Sequence, residues 1–191
     1  RLAHNRGIGT SEFLTQYTDA AGTALKRVDE GACVFLTENG CGVHDDRPLV
    51  CRIYPLGRHV TAQGEEWFSE LAPHPQTEGT YGTTGTVGHY LTAQGVEPYI
   101  RAVDRYLDIL GRMATVLQTI IGAGTETRGE AQRIVDDLVT GVNHDIPAWL
   151  DMDPVVRDYC QAKGIAVPAD PAASMELHIL ALDEWLHRQQ R

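Results

Sequence analysis

Apolar residues in the second half of the chain recur at alternating steps of three and four, the spacing of one face of an α-helix. This stripe predicts a long helix that begins near Glu97. Its members are Tyr99, Val103, Tyr106, Leu110, Met113, Leu117 and Ile120. Gly122 and Gly124 are expected to end the helix, because glycine is a poor helix former.

Helix start signals predict further helices on both sides of this stripe. Thr10 precedes residues 11–17, whose apolar side chains share one face, and it is the predicted N-cap. Thr127 and Glu130 have the spacing of a capping box, which predicts a helix that ends at Gly141.

Two Asp-Pro pairs predict the last helices. Asp153 and Asp170 each precede a proline, an order that suits an N-cap followed by the first helical position. The predicted helices lie near 154–163 and 171–189. The C-terminal half is therefore expected to form a helical bundle.

Residues 31–95 have a different pattern, in which glycine and proline interrupt the apolar runs and leave only short strand-like stretches at 33–36 and 52–54. We predict a mainly α fold in which a loop-rich N-terminal half with short strands packs on the C-terminal helical bundle. The predicted regions are 1–95, which holds three of the four cysteines, and 96–191, with the two forming one compact unit.

Composition narrows the possible partners. The 191 residues include 26 acidic and 16 basic side chains, a formal charge of -10, without a concentrated basic patch. This excludes nucleic acid and anionic membrane surfaces as partners and leaves a protein partner possible, with no prediction of oligomeric state. No apolar run reaches the ~18–20 residues of a membrane span, and the first residues lack the apolar core of a signal peptide. We therefore expect a cytoplasmic protein.

Three cysteines carry the most informative chemistry. Cys33, Cys41 and Cys51 fall within 19 residues, and His44 follows the middle one by three positions. In a reducing cytosol such crowding favours thiolate ligation of zinc or an iron-sulfur cluster over disulfides. These four side chains form a Cys3His set for a metal, and His74, beside a proline, is a candidate for an additional ligand.

Simpler roles remain open for some of these residues. Cysteine is often a small buried hydrophobe, the role predicted for Cys160 on its helix and an alternative for the clustered cysteines. Arg47, Arg52 and Arg58 either lower the pKa of nearby thiols or form ordinary ion pairs. The acidic partners open to them are Asp45, Asp46, Glu65 and Glu66.

Other catalytic and binding motifs find little support. Residues 79–86 resemble a phosphate-binding loop but lack the Gly-Lys-Ser/Thr ending of a P-loop. The sequence has no G-x-S-x-G nucleophile turn. We predict no catalytic residues, and whether the chain is an enzyme stays open.

The cysteine block resembles the YkgJ-type cysteine-cluster family, described as zinc- or iron-chelating proteins. The family pattern runs C-x-F-L, then G-C-x-[IV]-[YH], then R-P-x-x-C-R-x-[YF]-P. Its counterparts here are residues 33–36, 40–44 and 47–55, with familial flanks at 9–14, 74–82 and 94–99. The resemblance covers about residues 1–100 and implies an iron-sulfur or zinc centre with a structural or redox role.

One part of the family pattern has no counterpart in this sequence. Family members begin with a C-x-x-C-x-x-C-C cluster, whereas the first cysteine here is Cys33. If that cluster lies outside the sequence, six or more thiolates could hold a 4Fe-4S centre. If the protein lacks it, the three cysteines need His44, His74 or an outside ligand.

The resemblance also implies two alternative functions. Similar clusters occur in flagellin lysine N-methylases, which implies an iron-sulfur centre and S-adenosylmethionine-dependent methyl transfer to lysine. The likeness covers only the cluster, and the chain shows no recognisable S-adenosylmethionine site. The other alternative is a metal-stabilised scaffold whose acidic surface favours a basic protein partner.

Overall fold

The structure is a computed structural model that describes residues 1–19, 22–28, 31–61, 63–73, 82, 84–122 and 148–189. In these ranges the helices are α1 (Leu2–Arg6), α2 (Thr10–Tyr17), α3 (Leu49–Ile53), α4 (Val87–Ala93), α5 (Glu97–Gly122), α6 (Met152–Lys163) and α7 (Pro171–Gln189). The strands are β1 (Leu36–Thr37), β2 (Gly40–Cys41), β3 (Leu56–Val60) and β4 (Glu66–Glu70), and 3₁₀ helices span His44–Asp46 and Ala148–Leu150. Every helix in these ranges is too short or too polar to cross a bilayer.

The fold is mainly α, as the sequence predicts, with two small antiparallel sheets. β1 pairs with β2, and β3 pairs with β4. The chain divides into two compact units: the first comprises Arg1–Asp46 and Arg105–Arg191, and the second comprises Arg47–Asp104.

Aromatic stacking organises the N-terminal part of the first unit. The rings of Phe13 and Tyr17 on α2 stack with centroids 5.3 Å apart, and Phe35 stacks on Tyr17 at 5.1 Å. Ala3 and Val43 complete the buried group. Its apolar burial holds α1 and α2 against the chain that leads into β1.

Two aspartates join the starts of α2 and α6 within the first unit. The Thr10 amide donates to Asp153 Oδ2 at 2.8 Å, and the Asp153 amide donates to Thr10 Oγ1 at 2.9 Å. The hydroxyls of Thr10 and Ser11 both donate to the Asp151 carboxylate at 2.5 Å. Carboxylates favour helix N-termini, because they accept hydrogen bonds from unpaired amides and complement the helix dipole.

The helical cluster, formed by the part of α5 from residue 105 onward and by α7, has its own apolar core. Its buried members are Ile109, Met113, Val116, Ile179, Leu182 and Leu186. Ion pairs flank this core: Arg112 Nη1 lies 2.5 Å from Asp183 Oδ1, and Arg105 pairs with Glu176. Of the predicted apolar stripe, Met113 is in this core and Tyr106 packs against it, whereas the buried Ile109 and Val116 lie outside the stripe.

The second unit has a smaller core and a hairpin. Leu49 and Ile53 of α3 are buried with Val96, just before α5. The hairpin pairs Leu56 with Glu70 and continues in regular register to Val60 and Glu66. The pattern of residues 56–70 does not predict this hairpin.

The helix predictions are mostly confirmed. The long helix is α5, and the helices predicted near 154–163 and 171–189 are α6 and α7. Asp170 caps α7, since its Oδ2 accepts the Ala173 amide at 2.8 Å. Cys160 is buried on α6, as predicted, with 1% of its surface exposed. The helix predicted to end at Gly141 lies outside the described residues.

Four local predictions are wrong. Of the strand-like stretch 33–36, only Leu36 lies in a strand. Thr10 is the first residue of α2 rather than its N-cap, which is Gly9. α6 begins at Met152, because the Asp153 carboxylate caps α2 instead of its own helix. Residues 52–54 are not a strand: the first two belong to α3, where Leu49 and Ile53, four positions apart, bury the same helix face.

Candidate metal centre

Cys33 and Cys41 lie at the two sides of a tight turn in the first unit. Cys33 forms an isolated antiparallel bridge with Arg27 and is half-buried beside the aromatic group around Phe35. Cys41 ends β2, where it pairs with Leu36, and it is exposed. Gly40 sits at φ +92°, a conformation that favours glycine, and so allows the turn that presents Cys41.

His44 follows this turn in the 3₁₀ helix His44–Asp46. Its side chain is 61% exposed, and Nδ1 lies 3.5 Å from Asp45 Oδ1. In many metal sites a carboxylate lies near the ring nitrogen that does not bind the metal, where it orients the histidine ring.

Cys51 lies on the exposed face of α3 in the second unit. Leu49 and Ile53 bury the opposite face of this five-residue helix. The thiol therefore points away from the small core that anchors its helix. A metal ligand at this position would be fixed by the packing of Leu49 and Ile53 rather than by its own burial.

Arg52 connects α3 to residues far along the chain. Its Nε donates to the Arg47 carbonyl at 3.0 Å, its Nη1 to the Gln94 carbonyl at 3.3 Å and its Nη2 to the Tyr99 hydroxyl at 2.7 Å. The guanidinium also lies 4.2 Å from the centre of the Tyr99 ring, within cation–π range. This side chain therefore holds the helix that carries Cys51.

Two further hydrogen bonds link the cysteine block to residues 90–94. Arg47 Nη2 donates to Gln94 Oε1 at 2.7 Å, and the Tyr90 hydroxyl donates to the Tyr54 carbonyl at 2.6 Å. Sequence reasoning did not assign Tyr90, Gln94 or Tyr99 to the site. The resemblance of residues 94–99 to the family was the one feature of the sequence that pointed to this region. It does not show which residues of the cysteine block they contact.

Of the two roles open to the arginines, ion pairing applies to Arg58. Its Nε lies 2.5 Å from Glu66 Oε1, one of the predicted carboxylates, and its Nη1 lies 2.7 Å from Asp104 Oδ1. Both hydrogen bonds raise the pKa of the Arg58 guanidinium against the opposing effect of burial. Arg58 thus fastens the β3–β4 hairpin to α5 within the second unit.

The donor chemistry fits a thiolate metal, but the described residues do not form a finished metal cage. All four cysteines are free of disulfides, and Cys41 and Cys51 are exposed. Over the described ranges, no three His, Cys, Asp or Glu side chains are grouped as a metal site. His74, the additional candidate, lies outside those ranges. The assignment of Cys33, Cys41, Cys51, His44 and His74 as ligands stays a prediction.

Comparison with known families identifies the N-terminal segment. Residues 2–72 match the family model CxxCxxCC, described as "Putative zinc- or iron-chelating domain". The match supports the cysteine-cluster family for these residues, whereas the narrower YkgJ-type name stays a prediction. No curated protein and no solved structure is significantly similar to the chain.

Proposed function

We propose that this chain is a metal-binding protein whose cysteine block binds a zinc ion with a structural role, with Cys41 as one of the ligands. The observation that carries the proposal is the family match over residues 2–72, which contains all four candidate donors. His44 is preferred to His74 as the fourth ligand, because the matched segment ends before His74.

The type of donor favours zinc. Three thiolates and one imidazole supply the four nitrogen and sulfur ligands of a closed tetrahedral zinc site, at about 2.0–2.3 Å from the metal. Such a site gives zinc a structural rather than a redox role, since zinc has no redox chemistry. Iron-sulfur clusters are held by four thiolates in most proteins, so the fourth ligand decides between the metals.

Exposure of the ligands supports assembly on metal binding. Cys41 and Cys51 are at the surface, where they are accessible to an incoming ion, and β1 and β2 are only two residues each. The free energy of binding a structural zinc ion is available to order the segments that supply its ligands. In this proposal the metal stabilises the loops around the cysteines.

The test measures metal content in the purified chain and in two cysteine variants. Cys41→Ser should lose zinc at least tenfold by elemental analysis, because an exposed ligand is removed without disturbing a core. Cys160→Ala is the matched control and should keep one zinc per chain. Undiminished zinc in Cys41→Ser would falsify the ligand assignment.

The same purified sample shows which metal is bound. A colourless protein with zinc supports the proposal, whereas a brown protein that absorbs near ~400 nm would replace zinc by an iron-sulfur cluster. The lysine methylase and scaffold alternatives stay predictions, and no contact among the described residues favours either of them.

A further inference from the structure

The β3–β4 hairpin has one face turned toward the rest of the second unit. Leu56 on this face packs against the small core that contains Leu49 and Ile53. Arg58, two positions further along β3, pairs with Asp104 of α5. Because successive side chains of a strand point to opposite faces, the intervening positions form an outer face of the hairpin. The outer face consists of Gly57, His59, Glu65, Trp67, Ser69 and Leu71.

A stacked aromatic pair lies on the outer face. The rings of His59 and Trp67, which are opposite each other across the two strands, stack with centroids 5.0 Å apart and 9° between their planes. His59 Nε2 also lies 2.8 Å from the Ser69 hydroxyl oxygen, and the two share a hydrogen bond. Glycine is required beside this bond, since a Cβ at Gly57 would lie 2.9 Å from Ser69 Oγ. The stack and the hydrogen bond therefore fix the orientation of the indole ring.

The outer face keeps apolar surface in water. Trp67 is 50% exposed, and Leu71, whose Cδ2 lies on the same side of Gly57, is 47% exposed. The solvated face of an antiparallel hairpin is normally polar. An exposed tryptophan that is held in one orientation therefore indicates a surface for a partner.

Charge selects the kind of partner. The Thr61 amide donates to the Glu65 carbonyl at 2.9 Å, so strand pairing continues through Glu65 and places it on the same face as Trp67. Glu66 lies on the opposite face and pairs with Arg58. Glu65 is exposed, and no ion pair within the described part of the chain engages it. The outer face carries neither lysine nor arginine, and the whole chain has a formal charge of -10.

We propose that the outer face of the hairpin binds an arginine side chain of a basic protein segment. The guanidinium group stacks on the indole of Trp67 and donates hydrogen bonds to the Glu65 carboxylate, a combination that the planar fork of arginine permits. A lysine ammonium group pairs with the carboxylate but is a point charge without a plane to stack. An apolar segment would cover the Glu65 carboxylate without supplying a cation.

The test follows the Trp67 indole signal in nitrogen-15 NMR of the intact chain during titration with an acetylated peptide of alternating arginine and glycine. Two matched peptides replace every arginine by lysine, which keeps the charge, or by citrulline, which keeps the planar shape without the charge. The arginine peptide should shift the Trp67 signal saturably. It should bind at least tenfold more tightly than the citrulline peptide and at least threefold more tightly than the lysine peptide.

The signal of Trp149, whose ring nitrogen is buried, serves as the internal reference. Absence of saturation at Trp67 overturns the proposal. Equal affinity for the arginine and citrulline peptides overturns it as well, because the cation would then contribute nothing. Equal affinity for the arginine and lysine peptides overturns the stacking on Trp67.

Two glutamate variants locate the carboxylate. Glu65→Gln should weaken binding of the arginine peptide at least threefold, because it removes the negative charge beside Trp67. Glu70→Gln is the matched control, since Glu70 is exposed on β4 and its pairing with Leu56 places it on the opposite face. It makes the same change in net charge and should alter the affinity less than twofold. Equal effects of the two variants overturn the proposal, and none of these outcomes depends on the proposed metal.

Discussion

The helical cluster and the cysteine segment, residues 33–51, are held by different forces. In the helical cluster, Ile109 is 2% exposed and Leu186 is fully buried. In the cysteine segment, Phe35, Val43 and Leu49 are buried, but Leu36 is 60% exposed and Val50 is 70% exposed, and Cys41 and Cys51 are also at the surface. A continuous apolar core therefore stabilises the cluster, whereas the segment combines a few buried residues with apolar side chains that stay in water.

This difference in burial indicates which part of the protein needs stabilising contacts besides an apolar core. Strands of two residues and a five-residue helix contribute little stability on their own. Their geometry rests on particular contacts, such as the Arg52 hydrogen bonds, and in our proposal on a metal. Disturbing burial and disturbing ligation should consequently affect different parts of the chain.

The largest expected effect comes from removing the metal. A strong chelator should speed amide hydrogen exchange in residues 33–51 on the order of a thousandfold, because structural zinc sites have binding free energies of roughly 10–16 kcal/mol. Amides of α7 should keep their protection. Equal acceleration in both regions would show that they are not supported separately, and no acceleration would contradict the proposed role of the metal.

The next largest effect is expected from a substitution in the apolar core of the helical cluster. Leu186→Ala should lower the free energy of unfolding by about 3–4 kcal/mol, because it leaves a cavity among fully buried side chains. Leu180→Ala on the same helix is the control, since Leu180 is 43% exposed, and it should cost under about 1 kcal/mol. Urea unfolding measures both. Similar losses for the two variants would contradict the assigned core, and zinc content should not change in either.

Replacing Arg52 tests the support of α3. Arg52→Met should cost about 2 kcal/mol, because it removes hydrogen bonds to two carbonyls and to Tyr99. Arg52→Lys should recover only part of this loss, since an ammonium group cannot span the three acceptors as a guanidinium does. Hydrogen exchange at 49–53 measures the local effect.

Arg101→Met is the control for this prediction. Arg101 lies on the exposed surface of α5, where it pairs with Glu97 one turn away, and such pairs contribute about 0.3–0.5 kcal/mol. If Arg52→Met is as mild as Arg101→Met, the Arg52 contacts do not support α3.

The sequence alone predicts those helices whose signals lie close together along the chain. The apolar stripe of α5 continues over many turns, so its period is unambiguous, and Asp170 signals its helix within three residues. The spacing of Cys33, Cys41 and Cys51, with the family resemblance, identifies the candidate ligands and the zinc- or iron-chelating family.

What sequence does not predict depends on partners far along the chain. α3 has too few residues for a helical period, and its apolar face is defined only by packing on Val96. Arg52 reaches Tyr99, 47 positions away, and Thr10 reaches Asp153, 143 positions away. No local pattern contains these pairs, and the second one joins the two predicted N-caps that are wrong.

The smallest expected effect is a pH dependence confined to the helical side of the comparison. Burial lowers the pKa of His178 below 6.5, more than the Trp149 carbonyl and Asp151 raise it, so the unfolded chain binds a proton that the folded chain resists. Stability from this group is therefore complete above pH 6.5 and falls as the pH drops below it, by at most about 1.4 kcal/mol per pH unit.

His178→Gln should flatten this part of the profile, because glutamine can donate to the Trp149 carbonyl and accept from Tyr106 without titrating. Urea unfolding between pH 5 and 7.5 compares this variant with the unaltered chain. An identical slope in His178→Gln would mean that burial does not lower the pKa of His178, although the apolar core of the helical cluster would remain.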